Sequence, residues 1–185
     1  YENRPTFALI HLLPPHTPYE PPPPFIGAYT AGSPAVFDVS DSSLNSYSRS
    51  RQTVPERAVR YARDRYDENV AYADALVGRL VDMLRDRGRY DDALIIVLSD
   101  HGEAFFEHGL LQHGLLYDEN LRVPIIFSAP GRLPRGKRVP QHVSSMDIAP
   151  TILDLLGLPT PAGMDGSSLM PLIDGSEEAD RDFYS

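Results

Sequence analysis

Ala93-Leu-Ile-Ile-Val-Leu-Ser-Asp-His-Gly-Glu103 is the stretch on which the reading of this chain turns. Six apolar residues run without alternation into a polar cluster. An unbroken apolar run of this length suits a strand buried on both faces, as in the parallel sheets of α/β proteins. Ligands in such sheets bind beyond the carboxyl ends of strands, so Asp100 and His101 stand where a site is expected. Gly102 is read here as the residue that frees the backbone to turn away from the strand.

Upstream, Val59, Ala62, Tyr66, Val70, Ala73, Val77, Leu80, Val81 and Leu84 recur at helical spacing. Thr53 as N-cap, Pro55 in the first turn and Glu56 three residues after the cap open one long amphipathic helix, which Gly88 ends. Tyr61, Tyr66 and Tyr72 are then helix packing rather than a stacking platform. Earlier still, Thr6-Phe-Ala-Leu-Ile-His-Leu-Leu13 is a second continuous apolar run, expected as a central strand with His11 hydrogen-bonded in the core. Residues 14–54, rich in Pro, Ser, Gly and Tyr without a period, read as a long surface excursion, with 35–50 expected to be mobile. Downstream, Val123-Pro-Ile-Ile-Phe-Ser128 reads as a third strand. Asp147 is expected to cap a helix through Leu156 that Gly157 closes. The order of strand, helix and strand gives an α/β class with a mixed, mostly parallel sheet in one domain over residues 1–185.

Composition excludes several functions. A net charge of −9 opposes nonspecific binding to nucleic acid. The absence of cysteine removes disulfides, thiolate ligands and a cysteine nucleophile from this stretch. No apolar run approaches the roughly 18 residues that span a bilayer, and Tyr1 opens no signal pattern. The chain is therefore expected to be cut from a longer polypeptide, without membrane contact of its own. Its compartment stays unknown, export or membrane anchoring of a longer protein included.

The chemistry is concentrated in one window. His101, His108 and His113, three of the six histidines, fall within 13 residues, each followed by glycine. Asp-His-Gly alone is also an ordinary turn after a strand; three His-Gly pairs in one window favour a site. An aspartate oxygen beside an imidazole nitrogen suits zinc or manganese, and a remaining shell of oxygens would admit calcium or magnesium. His16, in Pro14-Pro-His-Thr-Pro-Tyr19, follows the first apolar run and is either a donor to an anionic substrate oxygen or a turn histidine. His142 carries no functional signal, and Ser99 has no base assigned to it. Arg132, Arg135, Lys137 and Arg138 read as a solvated basic loop.

Taken in order, these segments resemble the later part of a sulfatase of the alkaline-phosphatase superfamily, in its arylsulfatase-like branch. Phe7 to Tyr19 resembles the family's strand and Pro-His-x-Pro-Tyr loop. Arg65-Tyr-Asp-Glu-Asn-Val-Ala-Tyr-Ala-Asp74 resembles its long helix, and Leu98-Ser-Asp-His-Gly-Glu103 with Glu107-His-Gly109 its metal-binding signature. Tyr117 to Pro124, Ala129-Pro-Gly131 and Met146 to Gly157 complete the series. The resemblance implies part of an α/β/α sandwich and a sulfuric ester hydrolase. It makes Asp100 and His101 ligands of one divalent cation, and directs His16 and His113 at the sulfate or phosphate group. His108 and His113 are the catalytic candidates, His108 as a leaving-group acid or as a residue behind the ligands.

Many family members carry lysine at the position of His113. Histidine there resembles phosphoethanolamine-type transferases, in which it helps bind zinc, and so keeps a phosphoryl transferase or phosphoesterase open as an alternative. A noncatalytic binding domain is the other. The family's Asp-Asp metal pair and its nucleophile, a formylglycine made from Cys or Ser, or else a Thr or Ser, match nothing in this chain. The isolated chain is therefore expected to be inactive, to bind metal weakly and to associate with itself through uncovered apolar surface.

Overall fold

The computed structural model describes residues 4–30, 38–50 and 54–176. In chain order the elements are helices α1 (Asp41–Ser50) and α2 (Glu56–Asp86) and strands β1 (Ile95–Leu98), β2 (Ala104–Phe105) and β3 (Leu111–Gln112). Helix α3 (Asp118–Leu121), strand β4 (Ile125–Ser128), a 3-10 turn (Ser145–Asp147), and helices α4 (Ile148–Leu155) and α5 (Met170–Asp174) follow. They belong to two compact units: Tyr1–Arg87 with His101–Arg122, and Gly88–Asp100 with Val123–Ser185. Each unit uses segments distant in sequence, so no single linker divides them.

In the first unit the expected long helix is present as α2. Its expected cap, Thr53, lies outside the described residues; Pro55 precedes the first turn, its carbonyl taking the Ala58 N–H at 2.8 Å. Gly88, with φ of 61°, follows its end in the left-handed conformation that favours glycine. The buried face is not wholly apolar: Ala58 and Ala62 give way to Arg65, Glu68 and Asn69. The core gathers Tyr19, Val39, Leu44, Ala58, Ala62, Phe105 and Leu111. Tyr66 meets Tyr19 and Phe105 edge-on, and Tyr72 meets Phe25, so these rings pack rather than form an open platform.

The expected central strand, with His11 in the core, is not found in this unit. Residues 6–13 form no ladder, and Phe7 and Leu9 are 81% and 83% exposed. A central strand needs a neighbour on either side, and among the described residues strand pairing is confined to β1 with β4 and β2 with β3. His11 is accordingly exposed, not a core residue. Of the segment expected to be mobile, 35–37 lie outside the described residues, while 41–50 are helical. Asp38 accepts from the Ser40 N–H and the Ser43 hydroxyl just ahead of α1, and Leu44 is fully buried.

In the second unit β1 pairs with β4 in antiparallel register, Ile95 opposite Ser128 and Leu98 opposite Ile125. The chain that leaves β1 at Leu98 re-enters beside that same residue, which is the geometry of an antiparallel return. The class is α/β, but no parallel pair occurs among the described strands. Pro124 sits immediately before β4, where its missing N–H costs no ladder bond. Asp147 stands at the N-cap position of α4 without a side-chain cap bond to it; Ser144 caps the 3-10 turn ahead, and Asp147 accepts the Ser144 N–H at 2.8 Å and the Ser167 N–H at 2.9 Å. Gly157 closes α4 with φ of 66°. No described helix is long and apolar enough to cross a membrane.

Candidate functional site

The histidine-rich window folds as a short hairpin in the first unit. Ala104 pairs with Gln112 and Phe105 with Leu111, and the loop between is closed by Phe106 N–H to the Leu110 carbonyl at 2.9 Å. Ala104, Phe105 and Leu111 are buried, which pins the hairpin to the core. Its open end therefore carries Glu103 on one side and His113 on the other, with His101 two residues further back. His108 is at the tip. The His101 and His113 rings stack with centroids 4.0 Å apart.

The base of the hairpin rests on α3. Gly102 donates its N–H to the Asn120 carbonyl at 2.8 Å, and Asn120 Nδ2 donates to the Gln112 carbonyl at 3.2 Å. A Cβ at position 102 would stand 2.0 Å from the Glu119 carbonyl oxygen. Gly102 is not among the residues with positive φ. Glycine is required there for close approach, not for the turning freedom expected from sequence. Gln112 does take a left-handed φ, 71°, immediately before His113.

The second arm is the proline-rich loop after residue 13. Asn69 Nδ2 on α2 lies 3.5, 3.4 and 3.2 Å from the carbonyls of Pro15, His16 and Pro18. Arg65 donates to the Tyr19 carbonyl and, at 2.7 Å, to Glu68. The other Glu68 oxygen accepts from Tyr29 N–H, Thr30 N–H and the Thr30 hydroxyl at 2.9–3.1 Å. Burial pushes the Glu68 carboxyl up, but the N–H groups of Tyr29, Gly27 and Thr30 with the Thr30 hydroxyl outweigh it and hold it below the usual range. A continuous polar face of α2 thus fixes the loop that bears His16.

The two arms bring three of the sequence-predicted residues together. The His16 ring lies 5.2 Å from that of His113 and 6.3 Å from that of His101. His16 Nδ1 faces the Thr17 carbonyl at 2.8 Å and His101 Nδ1 the Gly102 carbonyl at 2.9 Å. A carbonyl only accepts, so these Nδ1 atoms carry the proton and Nε2 is the basic nitrogen. His113 Nδ1 faces Glu103 Oε1 at 3.3 Å, and Tyr19 donates its hydroxyl to Glu103 Oε2 at 3.0 Å. Burial raises the Glu103 carboxyl, with the Tyr19 hydroxyl and His113 pulling the other way.

The remaining predicted residues stand elsewhere. His108 stacks on Tyr117 at 3.7 Å, its Nε2 3.3 Å from Glu119 Oε2. Asp100 is exposed and closes a segment of the second unit, where His101 opens a segment of the first. Among the described residues no group of three or more His, Asp or Glu side chains is arranged to hold an ion. Carboxylate and imidazole are nonetheless the right donor types for a divalent cation, two where four or more are usual. Arg132, Arg135, Lys137 and Arg138 are exposed, as a solvated loop should be.

Sequence reasoning assigned no role to Tyr19, Glu103, Arg65, Glu68 or Asn69. A signal for the last three was present: Arg65, Glu68 and Asn69 sit at i, i+3 and i+4, which places three polar groups on one stripe of a helix.

The sulfatase family model matches residues 1–158. A choline-sulfatase of Rhizobium meliloti (strain 1021) is 35% identical over 130 residues, 69% of this chain and 25% of that protein. Arylsulfatase K of Danio rerio is 35% identical over 118 residues, 64% of this chain and 22% of that protein. Among solved structures, a phosphonate monoester hydrolase from Silicibacter pomeroyi superposes with a TM-score of 0.63 at 30% identity, covering 87% of this chain and 30% of that one. That of Agrobacterium radiobacter gives 0.63 at 35% identity, covering 69% and 26%. The chain spans about a quarter of the length of these two curated relatives.

Proposed function

The chain belongs to the sulfatase family, and from that premise we propose that it supplies the histidine-bearing part of a metal-dependent sulfuric ester hydrolase site. The observation that carries the proposal is the meeting of His16, His101 and His113 in one unit, their ring centroids 4.0–6.3 Å apart. Three imidazoles drawn from two separate loops are an expensive arrangement to hold without a ligand, and they suit an anionic, tetrahedral group.

In this reading Asp100 and His101, consecutive in the chain, are ligands of one divalent cation, which supplies positive charge to the nonbridging oxygens of the ester. Zinc or manganese fits the mixed oxygen and nitrogen donors; calcium or magnesium requires oxygens for the rest of the shell. His16 and His113 contact the transferring group through Nε2. The hairpin-tip position of His108, stacked on Tyr117, favours His113 over it as the proton donor to the leaving oxygen. The nucleophile comes from residues outside this chain, a formylglycine if the ester is a sulfate, and the chain alone is inactive.

A second reading, hydrolysis or transfer of a phosphate or phosphonate ester, is favoured by His113 and by the likeness to two phosphonate monoester hydrolases. The full polypeptide that carries this chain separates the two. Turnover of 4-nitrophenyl sulfate with the added cation, falling about 100-fold or more in His113→Ala and His16→Ala, supports the sulfatase reading. Preference for phenyl phosphonate or phosphate monoesters under the same conditions supports the second. A folded, metal-loaded protein that turns over none of them, and whose function is untouched by Asp100→Asn, returns the noncatalytic domain.

A further inference from the structure

Glu103 touches both loops of the histidine cluster, and it does so from within the protein, with its side chain 5% exposed. Its two oxygens have different partners. Oε2 accepts the Tyr19 hydroxyl, three residues after His16; Oε1 faces His113 Nδ1. The first loop is held independently at Tyr19 by Arg65. The hairpin register leads to the same place: Ala104 pairs with Gln112, so Glu103 and His113 are the next opposed pair at the open end.

We propose that Glu103 is the positioning residue for His113, fixing its ring by accepting the Nδ1–H and so aiming Nε2, which carries the donated proton in the imidazolium, at the ester bound beside His16. The role rests on the hydrolase reading for its ester, and on geometry alone for its effect on the ring. Three features carry it. An imidazole on a short loop can rotate about two side-chain bonds, and a hydrogen bond to Nδ1 removes that freedom. A buried carboxylate with both oxygens engaged cannot swing to solvent, so it is a fixed reference for the ring. Tyr19 ties that reference to the loop that carries His16, so both histidines are set against one carboxylate. The Nδ1 atoms of His16 and His101 face carbonyls of adjacent residues.

The test uses the full polypeptide with ring-labelled histidine and three variants, Glu103→Ala, Glu103→Gln and Tyr19→Phe. Nitrogen and attached-proton chemical shifts report whether the His113 Nδ1–H is hydrogen-bonded; kcat and KM for an aryl sulfate report the use of the ring. Glutamine keeps the shape and one accepting oxygen, so it preserves the Nδ1–H hydrogen bond and most of kcat. Alanine removes that bond, lets the ring turn and lowers kcat about 10- to 100-fold with KM nearly unchanged. Phenylalanine gives a smaller loss of the same kind. An unchanged hydrogen-bonded Nδ1–H signal in Glu103→Ala overturns the proposal, as do equal losses of kcat in the alanine and glutamine variants that track melting temperature. If the parent protein turns over no ester, the hydrolase reading fails while the Nδ1–H signal still decides the role of Glu103.

Discussion

At the scale of single residues, the site is built by close approach more than by unusual backbone. Gly102 lies against the Glu119 carbonyl so tightly that a single added carbon would overlap it, at 2.0 Å. Gly102→Ala must therefore push α3 away from the hairpin and break the Gly102–Asn120 hydrogen bond. The expected cost is about 2–3 kcal/mol, read as a lowered denaturant midpoint with an unchanged slope. A variant as stable as the parent would show that α3 moves freely. Which residues form the site was half legible. His16, His101 and His113 are visible because imidazole is scarce and clustered in the sequence. Glu103 was inside the quoted signature and drew no role, because a glutamate's importance lies in whether it is buried, and burial is set by tertiary packing such as that which brings Tyr19 against it. Gly102 was singled out for the wrong reason, since nothing in a tripeptide announces a neighbour 17 residues later in the chain.

At the scale of elements, helix α2 is the scaffold of the candidate site. Its polar stripe grips the loop of His16 at two levels, Asn69 on the Pro15, His16 and Pro18 carbonyls and Glu68 on Tyr29 and Thr30. Asn69→Ala leaves three carbonyls with one donor fewer, at a cost of about 1–2 kcal/mol. Because the loop carries His16, the loss should appear in turnover of the full polypeptide before it appears in global stability. Equal effects on both would mean that Asn69 merely packs. Glu68 gives the same loop a pH dependence. Its folded-state pKa is depressed, so its contribution is complete above the unfolded value of about 4.3 and is lost as pH falls through the folded value. Hydrogen-exchange protection of the Tyr29 and Thr30 amides, corrected for intrinsic rates, should fall in that acid window in the parent and be low and flat in Glu68→Gln. The helix itself was legible because its apolar repeat is local. Residues 6–13 were misread as a buried strand because an apolar run states what a segment prefers to bury, not whether a neighbour is present to bury it. The β1–β4 pairing was likewise beyond periodicity, which carries no information on strand direction.

At the scale of the whole molecule, the apolar surface left uncovered leads to a prediction about solution behaviour. In the first unit Phe7, Leu9, Ile10 and Leu13 are each more than half exposed, at 81%, 83%, 53% and 65%. They occur within seven residues of chain that joins no strand ladder among the described residues. Exposed, extended and apolar is the combination that recruits another strand. In the second unit Ile126 is 57% exposed on a two-stranded sheet, a second surface of the same kind. The net charge of −9 opposes association at long range, but salt screens it beyond roughly 8 Å at physiological ionic strength, whereas the apolar attraction acts in contact. The chain by itself is therefore expected to associate with its own copies, more strongly as salt is raised, and Phe7→Asp with Leu9→Asp should shift it toward monomer. Light scattering as a function of concentration and salt measures this directly. A monomer at all salt concentrations, unchanged by the two substitutions, would mean that the extended segment folds back on its own unit in solution and hides the surface it presents here.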